Sequence, residues 1–200
     1  MCQDMSPLEK AIQFHGHICP ELLMGIRAAE FALSYLQVEP GQEELSTIAE
    51  NSSCGLDAFQ AILGCTVGKG NLYWRDYGKM VYTVFCQSNN RAIRLAQRMD
   101  ALDNPVVEKY LGLRGQEKLT PEEEAEQEML LAEMFEWIMG QPLEKLFNWR
   151  EVDRPEIDKA AVQESVACQK CGEGVMENRA VLTEDGLLCP ECRLLLGGNK

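Results

Sequence analysis

The sequence predicts an α+β fold, with helices packed on a small antiparallel sheet and a small cysteine-held module after them. Three observations carry that expectation. Two capping boxes open helices, at Ser6-Pro7-Leu8-Glu9 and Thr120-Pro121-Glu122-Glu123. Short apolar runs between positions 45 and 98 are bounded by Asp, Asn and Gly, as strands are. Four cysteines then crowd into the last 33 residues as two Cys-x2-Cys pairs.

The first capping box starts a short helix that runs to about Phe14, where His15-Gly16-His17-Ile18-Cys19-Pro20 breaks it. Pro20 opens the next helix, because Leu22, Ile26, Ala29, Leu33 and Leu36 recur at helical spacing, and Pro40-Gly41 ends that unit. Leu45 to Asn51 reads as a strand that delivers Ser52, Ser53 and Cys54 into a turn. Gly55 to Leu63 is a helix closed by Gly64, and 65–71 is a glycine-rich loop. Leu72 to Arg75 and Met80 to Cys86 read as strands joined through Asp76-Tyr77-Gly78. Asn89-Asn90 suits a tight turn into a third strand over 91–98, with a helix as the competing reading. The second capping box starts a helix of roughly five turns to Met139, stopped by Gly140 and Pro142.

These elements divide the chain into a core over 1–150, a polar linker or hinge over 151–167 and a terminal module over 168–200. A broad apolar face on the long helix (Met129, Leu130, Met134, Trp137, Ile138) and a small sheet with an edge to protect predict a homodimer.

Charge narrows the function classes. Against 19 basic residues stand 32 acidic ones, a formal charge of −13, which repels phosphate backbones and argues against a nucleic-acid binder. No run of about 20 apolar residues is present to span a membrane. The opening MCQDMSPLEK shows no basic n-region or apolar h-region, so a cytoplasmic location is expected. Nine cysteines in a reducing compartment point to metal or chemistry rather than disulfides.

The cysteines form two sets. Cys168-x2-Cys171 and Cys189-x2-Cys192 are separated by 17 residues, a spacing that suits four thiolates around one Zn2+. Four protein ligands leave no open position, so this site is expected to be structural. Pro190 after Cys189 suits a helix start and favours a treble-clef-like knuckle over a ribbon. From Cys168 onward there are four basic and five acidic residues, which argues for a protein-contact module rather than a DNA-reading finger.

The other set, Cys2, Cys19, Cys54, Cys65 and Cys86, is scattered, and any one of these is readily a small buried hydrophobe. The chain's two histidines, however, sit together as His15-Gly16-His17 with Cys19 two residues on. Residues two apart in an extended loop point the same way, so His17 and Cys19 could chelate one ion. Cys54 precedes a helix, where the dipole favours a thiolate. Cys65 lies at the far end of that helix, about 16 Å away by helical rise, which makes a shared site with Cys54 hard to build.

The pattern His15-Gly16-His17-x-Cys19-Pro20 with Gly25 and Arg27 resembles the opening motif of the FmdE family, which takes its name from formylmethanofuran dehydrogenase. Cys54-x2-Asp57-Ala58-x-Gln60, Gly64-Cys65-Thr66-x-Gly68-Lys69-Gly70-Asn71-Leu72 and Asp76-x-Gly78-Lys79 are similar to its central motif. The likeness covers roughly residues 10–100 and departs at Glu21, where the family pattern has glycine. It implies an α+β core, in some members with a C-terminal zinc module. It also implies an association with the molybdenum or tungsten enzyme that reduces carbon dioxide onto methanofuran in methanogens, whose catalytic machinery lies on other chains. By position the resemblance carries over His17, Cys54 and Cys65 as metal or redox groups and Asp57, Gln60 and Lys69 as polar neighbours. For an enzyme, His17, Cys54 and Asp57 are then the candidate catalytic groups, with Lys69 and Gln60 as cofactor contacts.

Residues 69–98 reverse the chain's sign, with Lys69, Arg75, Lys79, Arg91, Arg94 and Arg98 against Asp76 alone. They face a small anionic molecule or, more simply, guard a sheet edge and pair with the acidic helix 121–139. Three functions remain. The first is a metal-binding, redox-linked accessory protein with a mixed site of His17, Cys54 and Cys65 for a second, unidentified metal, working with a protein partner in a redox complex. The second is an enzyme with Cys54 as nucleophile and His15 or His17 as base, for which no orienting third residue is evident. The third is a zinc-finger regulator, which the charge disfavours.

Overall fold

A computed structural model describes residues 5–38, 45–157 and 163–197. Cys2 and the Pro40-Gly41 stop lie outside the described residues. The chain divides into two compact units between Ile157 and Asp158.

The first unit opens with α1 (Pro7–His15) and α2 (Pro20–Leu36). The Ser6 capping box forms in full, and Gly16 ends α1 at φ 92°, a left-handed conformation that glycine enters without a Cβ clash. There follow β1 (Leu45–Ala49), α3 (Gly55–Leu63), β2 (Leu72–Trp74), β3 (Val81–Cys86) and β4 (Ala92–Gln97). The unit closes with α4 (Pro105–Arg114), α5 (Pro121–Gly140), α6 (Leu143–Leu146) and β5 (Phe147–Glu151).

The five strands form one sheet in the order β2-β1-β3-β4-β5. Asp76-Tyr77-Gly78 does not make a hairpin of its flanking strands, because β1 lies between β2 and β3. The reason is the crossover through α3, which brings β2 back parallel to β1, with Thr47 opposite Leu72. The other pairs are antiparallel, including β4 with β5, where Leu95 faces Trp149.

The helix α2 lies inside the unit. Leu22, Leu23, Met24, Ile26, Ala28, Ala29, Ala32 and Leu36 are all buried, in one cluster with Val84 and Cys86 of β3, Ile93 and Leu95 of β4, and Phe59 of α3. Leu130, Met134 and Ile138 of α5 join the same cluster. The apolar stripe of the long helix is therefore covered largely within its own chain, which removes one motive for a second copy.

One contact governs the site. A Cβ on Gly25 would stand 2.2 Å from the Gly55 carbonyl oxygen, and a Cβ on Gly55 only 2.9 Å from the Glu21 carbonyl oxygen. Glycine at both positions lets the start of α3 sit directly on the second turn of α2. The residues ahead of the two helices, Cys19 and Cys54, are thereby drawn to one end of the unit.

The second unit contains β6 (Ser165–Ala167) and β7 (Gly174–Met176) as one antiparallel pair. A second pair, β8 (Val181–Thr183) and β9 (Gly186–Leu188), leads into α7 (Pro190–Gly197). Its buried apolar cluster among the described residues is Cys168, Leu188 and Cys192.

Candidate functional site

The core site is built by the break between α1 and α2. His15 is the last residue of α1, and the left-handed Gly16 turns the chain so that His17 comes back beside it, ring centroids 4.5 Å apart. Cys19 then precedes Pro20, the first residue of α2. One ligand atom from each of His15, His17 and Cys19 lies within 4.8 Å of the others, which is the reach of a single ion. His15 Nε2 is 3.8 Å from Cys19 Sγ.

Behind His15 stands α3. His15 Nδ1 is 2.7 Å from Asp57 Oδ2, and Gln60 Nε2 donates to Asp57 Oδ1 at 3.0 Å. With Nδ1–H donated to the carboxylate, the Nε2 lone pair faces the sulfur. A carboxylate that orients a histidine in this way is the usual outer support of a metal-ligating imidazole. Asp57 is thus the orienting third residue that sequence spacing did not reveal, 42 positions from the histidine it holds. Gln60 holds Asp57 in turn.

Cys19 is fully buried, and that burial pushes its thiol up to about 11, with the neighbouring Cys54 acting in the same direction against a helping Leu22 N–H. His17 is held below the ordinary histidine value by partial burial, then by the charges of His15 and Arg114. Arg114, the last residue of α4, brings Nη2 to 3.1 Å from His17 Nε2. Beside Cys54, the Ser53 and Tyr82 hydroxyls both donate to Asn51 Oδ1, which fixes the turn before α3.

Three of the expected contacts fall elsewhere. Cys54 lies beside Cys19 but is not one of the three convergent donors. Cys65 is not in the cluster: it follows Gly64 at the opposite end of α3, fully buried, with its thiol on the Leu45 carbonyl oxygen at 3.4 Å. Burial pushes that thiol to about 11. Lys69 Nζ donates to the Gly64 carbonyl at 3.0 Å and so caps the end of α3 rather than facing the histidines. The basic strand residues also find local partners. Arg94 pairs with Glu50, Arg98 with Asp100, and Arg91 lies 4.7 Å over the Tyr35 ring. It is Lys109 of α4 that pairs with the acidic α5, through Glu126.

In the second unit Cys168, Cys171, Cys189 and Cys192 form a second convergent group. Cys168 and Cys171 lie between β6 and β7, while Cys189 and Cys192 flank and enter the first turn of α7. The Cys189 N–H donates to Cys168 Sγ at 3.3 Å and the Cys192 N–H to Cys189 Sγ at 3.4 Å. Backbone donation from Cys171 and Cys189 lowers the Cys168 thiol to about 6, whereas burial and the neighbouring thiols push the Cys192 thiol up. Among the described residues, no helix is long and apolar enough to cross a membrane.

The four cysteines lie outside the stretch that matches a known family. A family model described as FmdE, molybdenum formylmethanofuran dehydrogenase operon, matches residues 14–148, which contain His15, His17, Cys19, Cys54, Asp57 and Arg114. A probable S-adenosyl-L-methionine-binding protein of Archaeoglobus fulgidus is 30% identical over 193 residues, covering 92% of this chain and 52% of that protein. The chain therefore spans about half the length of that relative. A tungsten formylmethanofuran dehydrogenase FmdE-like protein from Syntrophus aciditrophicus shares the fold, with a TM-score of 0.63 at 19% identity over 100% of this chain and 97% of that one. Because the matched stretch takes up more than half of the 200 residues, the chain belongs to the FmdE family.

Proposed function

We propose that the chain is a metal-binding accessory protein with two sites of different kinds. In the second unit Cys168, Cys171, Cys189 and Cys192 hold a structural Zn2+ in a treble-clef-like arrangement, closed by four thiolates. In the first unit His15, His17 and Cys19 hold a second ion and leave it at least one open position. The observation that carries this reading is the convergence of those three donors within 4.8 Å, with Asp57 fixed behind His15. Two imidazoles and one thiolate suit zinc, iron or nickel, and the ion would act there as a Lewis acid or redox centre. The chain's own residues supply the rest: Asp57 sets the His15 tautomer, Gln60 steadies Asp57, and the buried Cys19 keeps water from one side.

The same Asp57–His15 pair would orient a base for a thiol nucleophile, and Cys19, not Cys54, is the thiol His15 meets. Full burial leaves Cys19 out of reach of a substrate, which weighs against acyl or group transfer. The family's tie to a molybdenum enzyme operon supports an accessory role beside a redox partner.

Native mass spectrometry of the full chain tests this. His17→Ala and Cys19→Ser should each carry one metal fewer than the parent, and Cys65→Ser should carry the same number. An unchanged count in both His17→Ala and Cys19→Ser would overturn the core site.

A further inference from the structure

We propose that Cys19 and Cys54 are a redox-active dithiol, which closes to a disulfide by exchange with a low-molecular-weight disulfide compound and so takes Cys19 off the core ion. The dithiol stands on its own geometry; only the release of the ion rests on the metal reading above.

The two cysteines hold the same place on neighbouring helices. Cys19 is the N-cap of α2 and Cys54 the N-cap of α3, and neither side chain makes the capping hydrogen bond that serine or aspartate would make there. The Gly25–Gly55 contact sets the two helix starts against each other, with a Cβ on Gly55 only 2.9 Å from the Glu21 carbonyl oxygen. Cys54 comes one residue before Gly55, and Cys19 two before Glu21. Their thiols accordingly lie beside each other. The other described thiols of the first unit are engaged elsewhere. Cys65 rests on the Leu45 carbonyl oxygen, and Cys86 Sγ is 3.1 Å from Ser88 Oγ.

Exposure divides the labour. Cys54 is half-buried and reaches solvent, whereas Cys19 is fully buried. Dithiol exchange uses such a pair: an outer sulfur that meets the reagent, and an inner one that meets only the outer sulfur. Cys54 Sγ attacks one sulfur of the reagent R–S–S–R, its S–S bond breaks, and the first RS− leaves. Cys19 Sγ then attacks Cys54 Sγ in the mixed disulfide, and the second RS− leaves. The two cysteine protons end on the two released thiols. The protein has lost two electrons and the reagent has gained them. Once bonded to Cys54, Cys19 offers no thiolate, and the ion keeps only the imidazoles of His15 and His17.

The test treats the metal-loaded full chain with oxidised glutathione and blocks the remaining thiols by alkylation. Peptide mapping then reads the disulfides, and native mass spectrometry reads the metal. The parent should form a Cys19–Cys54 disulfide and lose one metal, and reduced glutathione should restore the dithiol. Cys19→Ser should stop at a glutathione adduct on Cys54. Cys54→Ser should form neither product and keep its metal count. A parent that gains only the adduct on Cys54 would overturn the proposal. Oxidation confined to the four cysteines of the second unit would do the same. A disulfide formed with no metal lost, in a parent that holds one metal more than His17→Ala, would overturn the link to the ion. Should the parent and His17→Ala hold equal metal, the metal reading fails, and the Cys19–Cys54 disulfide still decides the dithiol.

Discussion

The two cysteine-bearing regions use the same side-chain chemistry on opposite terms. In the first unit, α2 is buried on the face that meets β3, β4 and α3, so apolar packing accounts for the fold without an ion. His15, His17 and Cys19 are then placed by helix ends and by the Gly25–Gly55 contact. In the second unit the buried cluster among the described residues is Cys168, Leu188 and Cys192, so two of the proposed ligands are themselves most of the core. Leu182, Leu194 and Leu195 of that unit stay exposed, at 79%, 76% and 66%. A metal added to a finished scaffold is free to do chemistry, whereas a metal that replaces a core is committed to structure.

The largest effect is expected on removing one cysteine from the second unit. A structural zinc contributes about 10 kcal/mol or more to folding a module of this size. Cys171→Ser should therefore unfold residues 163–197 and leave the cooperative thermal transition of the first unit in place. Loss of both transitions would make the chain one folding unit.

The next largest effect is expected where no ligand is touched. Gly25→Ala drives a Cβ into the Gly55 backbone, which cannot give way as a side chain tip would. It should destabilise the first unit by at least about 2 kcal/mol, read as a shifted denaturant midpoint. The same change should leave the four-cysteine metal bound.

A smaller effect sharpens the role of Asp57. Asp57→Asn keeps the shape but weakens the hold on His15, and loss of such a support lowers metal affinity about 10- to 100-fold. Competition with a chelator on the full chain reads this directly. Unchanged affinity would make the Asp57–His15 contact a surface ion pair and nothing more.

The smallest expected effect is electrostatic. Burial raises the Glu30 carboxyl above its usual value, with Arg27 opposing. A carboxyl raised on folding binds more protons in the native state, so its contribution falls as pH climbs through the unfolded value and up to the folded one. Glu30→Gln should flatten that part of the pH–stability curve and alter stability at pH 7 by less than about 1 kcal/mol. A steeper loss in the variant would show that the native carboxylate is a favourable partner of Arg27.

Much of this is legible in the chain, because the signals are local. Both capping boxes, the Pro20 start, the Gly64 stop and the Asn90 turn each act within four residues of themselves. The helix α4 escapes a sequence reading although Asn104-Pro105 caps it, because Gly112 and an alternating polar surface blur its period. The strand β5 escapes it because Phe147 alone is buried and its four remaining residues face outward. At the site, His15-Gly16-His17-x-Cys19 announces itself by proximity in sequence. The Asp57 support, the Arg114 cation and the isolation of Cys65 depend on how α3 and α4 pack, and no local spacing encodes that.

Amide hydrogen exchange on the full chain, before and after removal of all metal by a strong chelator, tests the central claim most directly. Protection should collapse across 163–197 and persist in α2, β1, β3 and β4, with local loosening limited to the turn around His17. Protection lost throughout the first unit, or retained in the second, would contradict it.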